Sequence, residues 1–164
     1  MPDTDTIDRT PRRHLHAVTP LPTQQVLVVA NHSATSPALI TQLRKRASLG
    51  AVSFHLVVPA LNSRLRHWLS DSDEAVSAAR RRGQDAAALL ESHGLPVTVE
   101  IGDSVPLLAI EDALSQFNAD EIVIATREPN RSHWLEHDLV ELARRRFRVP
   151  VVHVVGLDEV VPAA

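Results

Sequence analysis

Short, wholly apolar runs alternate with longer amphipathic stretches along most of this chain. Val26-Leu27-Val28-Val29-Ala30 is apolar at every position, as a strand reads when both of its faces are covered. Ser36-Pro37 then sets a serine cap before a first-turn proline, which predicts a helix start. Leu39, Ile40, Leu43 and Ala47 form the inner stripe of that helix, and Gly50 ends it. Val52 to Val58 predicts a second strand, stopped by Pro59. An irregular stretch over 61–69 holds Trp68. Acids and caps from Ser70 to Asp73 open a long helix that closes at His93-Gly94, where a glycine suits the left-handed residue after a helix. Pro96 to Ile101 predicts the third strand. Gly102-Asp103-Ser104 leads into a helix whose buried side should carry Leu107, Leu108, Ile110, Leu114 and Phe117. Glu121 to Thr126, Leu135 to Phe147 and Pro150 to Val155 then read as strand, helix and strand.

Five strands joined by four helices predict an α/β fold, an open five-stranded parallel sheet with helices on both faces. Right-handed crossovers keep each helix on its strands. In such sheets ligands bind beyond the carboxyl ends of the strands, where the strand order reverses. The loops at that end begin at Asn31, Pro59, Gly102 and Thr126, so a site should draw on them. Residues 1–24 form a polar arm interrupted by Pro2, Pro11, Pro20 and Pro22, expected to be disordered or loosely laid on the domain. The α/β domain is expected over 25–156, with a tail over 157–164.

Composition narrows the picture. The 164 residues suit one domain with one core. Aromatics are only 3% of the chain, so Val, Leu, Ile and Ala must build that core. There is no cysteine, which removes disulfides, thiol catalysis and cysteine-ligated zinc. A net charge of -3 gives no basis for a nucleic-acid or membrane partner. No apolar run is long enough to span a bilayer, and Arg12-Arg13 lacks the apolar stretch that a twin-arginine signal requires. These features predict a soluble, cytoplasmic protein. Arg80-Arg81-Arg82 and Arg144-Arg145-Arg146 each spread around a helix axis and read as solvated rims rather than patches.

Several segments together carry a family resemblance. Val26 to Ala30 with a polar residue after it, Phe54-His55-Leu56-Val57-Val58, Gly102-Asp103-Ser104-Val105-Pro106, Asp120-Glu121-Ile122-Val123-Ile124 and Pro150-Val151-Val152 occur in this order. The region from about 25 to 155 resembles the universal stress protein family. The resemblance implies a strand order 3-2-1-4-5 and a nucleotide-binding fold. Nucleotide-binding members use an aspartate after the first strand near the ribose, backbone groups at the end of the second strand for adenine, and a glycine loop for phosphates. By position these fall on Asn31, on Val58 and on the segment from Ala125 to Leu139.

The phosphate segment departs from the family. Its three glycine positions hold Ala125, Glu128 and Asp138 here and its Ser/Thr position holds Leu139, whereas glycines would let the backbone approach phosphate oxygens. Two unit charges about 5 Å apart at an effective dielectric near 20 repel by roughly 3 kcal/mol. An anion beside Glu128 or Asp138 would thereby lose more than about a hundredfold in affinity, unless Arg127 and Arg131 offset it. The expectation is a non-enzymatic regulatory or small-ligand-binding module that does not bind ATP in the family manner. The alternative is an adenine-nucleotide-binding stress-response protein that takes ATP, AMP or cyclic AMP. No obligatory cofactor is expected, an adenine nucleotide being the one candidate.

The candidate ligand residues are Asn31, His32, Ser33, Val58, Pro59, Gly102, Asp103, Thr126, Arg127, Arg131, Ser132 and His133. Arginine can pair with a phosphate or carboxylate bidentately, and the helix N-terminus after Asn31 favours anions. A remote alternative is a zinc-dependent hydrolase. His133-Trp134-Leu135-Glu136-His137 spells H-x-x-E-H, which on a helix sets His133 and His137 on one face, with Glu136 as general base and Glu141 as a third ligand. No catalytic residue or metal site is otherwise assigned. The apolar segment 150–155 would form a sheet edge in the family's order, and an uncovered edge invites pairing. A homodimer through that strand is therefore expected.

Overall fold

The computed structural model describes residues 22–61, 71–127 and 134–156, with the backbone alone at 71–72 and 134–137. The expected arm over 1–24 and tail over 157–164 lie almost wholly outside the described residues, as does the irregular stretch with Trp68. The elements run β1 (Gln24–Ala30), α1 (Pro37–Ala47), β2 (Val52–Pro59), α2 (Asp71–Ser92), β3 (Val97–Gly102), α3 (Pro106–Gln116), β4 (Glu121–Arg127), α4 (Trp134–Arg146) and β5 (Val151–Gly156). The sheet order is β3-β2-β1-β4-β5, and all four pairings are parallel.

Two apolar layers explain the uninterrupted hydrophobic strands. Val26, Val28 and Ala30 point to the α1 and α2 side, where Leu39, Leu43, Ala79, Ala86 and Leu90 cover them. Leu27 and Val29 point the other way, against Ala109, Ile110 and Ala113 of α3 and Leu139, Val140 and Ala143 of α4. Strand side chains alternate between faces, so a strand covered on both faces must be apolar at each position. Register brings β4 into the same scheme: Val28 pairs with Val123 and Val29 with Ile124.

Local chemistry sets the helix ends. Ser36 accepts a hydrogen bond from the Leu39 amide at 3.3 Å, and Pro37 begins α1. Gly94 has φ of +74°, the left-handed conformation expected after α2. Asp103 Oδ1 accepts from the Val105 amide at 2.7 Å, turning the chain into α3.

The helix stripes differ in detail from the sequence pattern. Leu108 is exposed, because α3 buries Ala109, Ile110 and Ala113 instead. Small residues let that helix sit close to the sheet, which turns Leu108 outward. The same close approach appears at Gly102, where an added Cβ would lie 2.6 Å from the Ala109 Cβ. Ala47 is also exposed, as the last residue of α1. Arg80 and Arg81 are solvated, but Arg82 leans inward and its Nε is buried without a hydrogen-bond partner. Burial, and then the neighbouring Arg81 charge, hold the Arg82 pKa below its ordinary value. In the second arginine run, Arg146 bonds Glu111 at 2.6 Å and so ties α4 to α3, while Arg144 bonds Glu141 at 2.7 Å.

At the amino end of the sheet, Arg46 clasps Glu121 through two hydrogen bonds of 2.5 and 3.0 Å. Their side chains are 11% and 17% exposed. The pair joins the last turn of α1 to the start of β4, across the point where strand order reverses. Truncating Arg46 to alanine leaves the Glu121 carboxylate largely dehydrated and unpaired. The expected cost is about 3 kcal/mol, measured by urea unfolding, with most of it recovered when Glu121→Leu is added.

Candidate functional site

Polar side chains enter the interior at the carboxyl ends of the central strands. Beyond Ala30 the chain leaves the sheet, and Asn31 and Ser33 are both buried there, at 7% and 4% exposure. Ser33 donates its hydroxyl to the Ala125 carbonyl at 2.5 Å, fastening the turn after β1 to β4. Asn31 donates from Nδ2 to the Pro59 carbonyl at 2.8 Å, fastening it to β2. Its other amide atom, Oδ1, is buried with no hydrogen-bond partner.

A small depression, open to solvent, lies at this point. Asn31, Pro59, Leu61, Pro106, Thr126 and Leu139 are among its lining residues. It sits between β1 and β4, the two strands that leave the reversal of strand order in opposite directions. This is the place where doubly wound sheets accept ligands. Thr126 is buried, and its Oγ1 lies 2.7 Å from Nε2 of His153 on β5. Ile124 pairs with His153 in the strand register, so Thr126 and His153 project from the same face.

Three of the twelve sequence-predicted ligand residues, Asn31, Pro59 and Thr126, line the depression. Ser33 supports it from beneath through Ala125. Val58 sends its side chain into the α1 and α2 core, and only its backbone stands near the strand end. The Gly102 carbonyl accepts from the Ala60 amide at 3.1 Å, joining the ends of β2 and β3. Asp103 is exposed and holds the turn before α3. His32 is exposed and Arg127 half-buried, and each has an interaction of its own. Arg131, Ser132 and His133 lie outside the described residues, as do the side chains of Glu136 and His137 from the zinc motif. Glu141, its third member, pairs with Arg144. Among the described residues no group of three metal-ligating side chains comes together.

Two features of the site escape sequence reasoning. His153 reads as one polar residue in an apolar edge strand, and only the β4–β5 register sets it beside Thr126. Leu139 stands at the position where the family resemblance expects the phosphate-loop Ser/Thr, and it is buried in the wall of the depression. Ala125, at an expected glycine position, is likewise a buried wall residue. Asp138, at another glycine position, is exposed in α4.

Comparison with known proteins agrees with the architecture. No family model matches the chain, and no curated protein matches it either. Solved structures of universal stress proteins do match in shape. One from Burkholderia pseudomallei is 22% identical, with a TM-score of 0.59 over 79% of this chain and 94% of that one. One from Archaeoglobus fulgidus in complex with dAMP is 17% identical, with a TM-score of 0.56 over 80% and 97%. One from Arabidopsis thaliana with AMP bound is 14% identical, with a TM-score of 0.52 over 81% and 92%. The chain therefore has the universal stress protein fold, in the strand order that the sequence resemblance implies.

The Asn31 side chain gives the first test of this site. In Asn31→Asp a carboxylate oxygen replaces Nδ2 opposite the Pro59 carbonyl, so a bond becomes a repulsion. A buried carboxyl facing a carbonyl has a raised pKa. The folded variant then holds its proton more tightly than the unfolded one, and its stability falls as pH rises. Urea unfolding should show a loss of roughly 2 kcal/mol at neutral pH, and a smaller loss in acid.

Proposed function

We propose that this chain is a universal-stress-protein-like small-ligand-binding module, non-enzymatic, whose site does not hold a triphosphate in the family manner. The observation that carries this reading is the depression at the strand-order reversal, with a buried, unpaired acceptor in its wall and Leu139 at the expected Ser/Thr position. A glycine loop binds phosphate by bringing backbone amides close to the oxygens. A leucine at the Ser/Thr position offers no hydroxyl to a phosphate. The exposed Asp138 carboxylate adds charge of the wrong sign for phosphate.

A second reading, an adenine-nucleotide-binding stress-response protein, draws support from the dAMP and AMP complexes among its structural neighbours. Arg127, at the end of β4, would then serve the phosphates. The two readings differ in a thermal-shift panel of ATP, ADP, AMP and cyclic AMP. Under the first, none of the four stabilises the protein at sub-millimolar concentration. Stabilisation by any of them, lost in Arg127→Ala, would establish the second.

We also propose that the chain forms a homodimer through β5. That strand is a sheet edge, and Val155 is exposed on it while Val151 and Val152 are only partly covered. A partner strand would satisfy the open backbone groups and shelter those valines. Light scattering at micromolar concentration should give twice the monomer mass, and Val155→Lys should shift the protein to monomer. A monomer in the unmodified chain would refute the proposal.

A further inference from the structure

Arg82 is a half-buried charge with no counter-charge. The α2 backbone comes so close to the sheet at Gly83 that an added Cβ would lie 2.7 Å from Val99 Cγ1. Arg82 stands beside that contact, three residues after Ala79 and four before Ala86, both fully buried. It is therefore drawn onto the shoulder of the buried stripe. Its Nε is enclosed and has no hydrogen-bond partner. Among the described residues no carboxylate pairs with it, not even that of exposed Asp85 three residues on. The neighbouring charge that acts on it is that of Arg81, of the same sign.

That arrangement is unfavourable for the protein alone. A buried lysine or histidine can lose its proton, but a guanidinium keeps its charge and its five N–H donors. Relief has to come from oxygens that accept. Helix geometry indicates where they would stand. Gly83 also meets Val58 and Ile101, near the carboxyl ends of β2 and β3. Helical side chains tilt toward the helix N-terminus, and α2 runs opposite to the strands it joins. The Arg82 guanidinium is thus carried toward the carboxyl end of the sheet, on the face that α1 and α2 cover. Val29, Ile124 and Leu139 wall the depression from the other face. Arg80 and Arg81 are exposed beside Arg82 and make the approach positive.

We propose that Arg82 is the centre of a second binding site, for a doubly charged oxyanion of the phosphate type, at the seam between α2 and the sheet. A guanidinium pairs with two phosphate oxygens through parallel N–H donors, and Nε–H is such a donor. A dianion answers the charges of Arg81 and Arg82 together, whereas a monocarboxylate answers one. Nε is covered in the free protein, so the side chain swings outward to receive the anion. The group can arrive as inorganic phosphate or on a phosphomonoester, and the test separates these sources. The site stands apart from the depression, so its failure leaves the small-ligand reading untouched.

The test is urea unfolding of the full chain in inorganic phosphate, glycerol phosphate, acetate or chloride at equal ionic strength. Phosphate at about ten times its Kd should shift the folding equilibrium about tenfold relative to chloride, and acetate should not. The shift should weaken below about pH 6, where phosphate loses its second charge. An equal shift with glycerol phosphate assigns the site to phosphomonoesters as well, and no shift with it assigns the site to the free ion. In Arg82→Met the phosphate shift should vanish, and the variant should be at least as stable as the unmodified chain in chloride. Arg82→Lys keeps the charge without the paired donors and should lose most of the shift, while Arg80→Met should retain it. If the Arg82 variants do not fold, a nuclear magnetic resonance titration of the unmodified chain decides the matter, since phosphate should move the Arg82 Nε–H signal. A phosphate shift that persists in Arg82→Met is general salt stabilisation and would overturn the proposal. So would an equal response to acetate, or an Nε–H signal that phosphate leaves in place.

Discussion

A parallel strand covered on both faces has no side on which to keep a polar residue. β1 is the extreme case, since β2 and β4 flank it and helices cover it above and below. From Val26 to Ala30 its side chains are at most 2% exposed. Polarity can re-enter only where the strand stops. The first residue to do so is Asn31, at the end where the order of strands reverses. The position of the candidate site is thus a consequence of how the sheet is buried.

The polar groups at that end act first as fasteners. Asn31 joins β1 to β2 through Pro59, Ser33 joins the following turn to β4 through Ala125, and Thr126 joins β4 to β5 through His153. Backbone ladders hold parallel strands along their length, but they end where the strands diverge. Side-chain bonds take over at that point. Only the Asn31 acceptor is left over among these fasteners. Asn31 therefore acts as a structural fastener, and its bond to Pro59 fixes which of its amide atoms is left unbonded.

The fold was legible because burial on both faces gives an unmistakable pattern. Strand positions came within one or two residues, and Gly94 adopts the left-handed conformation its place suggests. Helix faces were less legible. Leu108 reads as core by its chemistry, yet α3 approaches on alanines and turns it outward. Arg82 reads as solvent-facing, yet the packing of α2 draws it partly inside. In both cases hydrophobicity alone was the guide, and the distance between helix and sheet overruled it.

The candidate site divides in the same way. Sequence alone determined that a doubly covered parallel sheet forms and that its carboxyl-end loops include Asn31, Pro59 and Thr126. Those conclusions depend on residue type and order, which the chain carries directly. Tertiary structure decided that Leu139 fills the wall, that His153 meets Thr126, and that Asn31 presents an acceptor and keeps its donor group for Pro59. Each of those depends on the register and separation of segments distant in the chain. An amide side chain carries both acceptor and donor, and only its neighbours in space select which one faces a ligand.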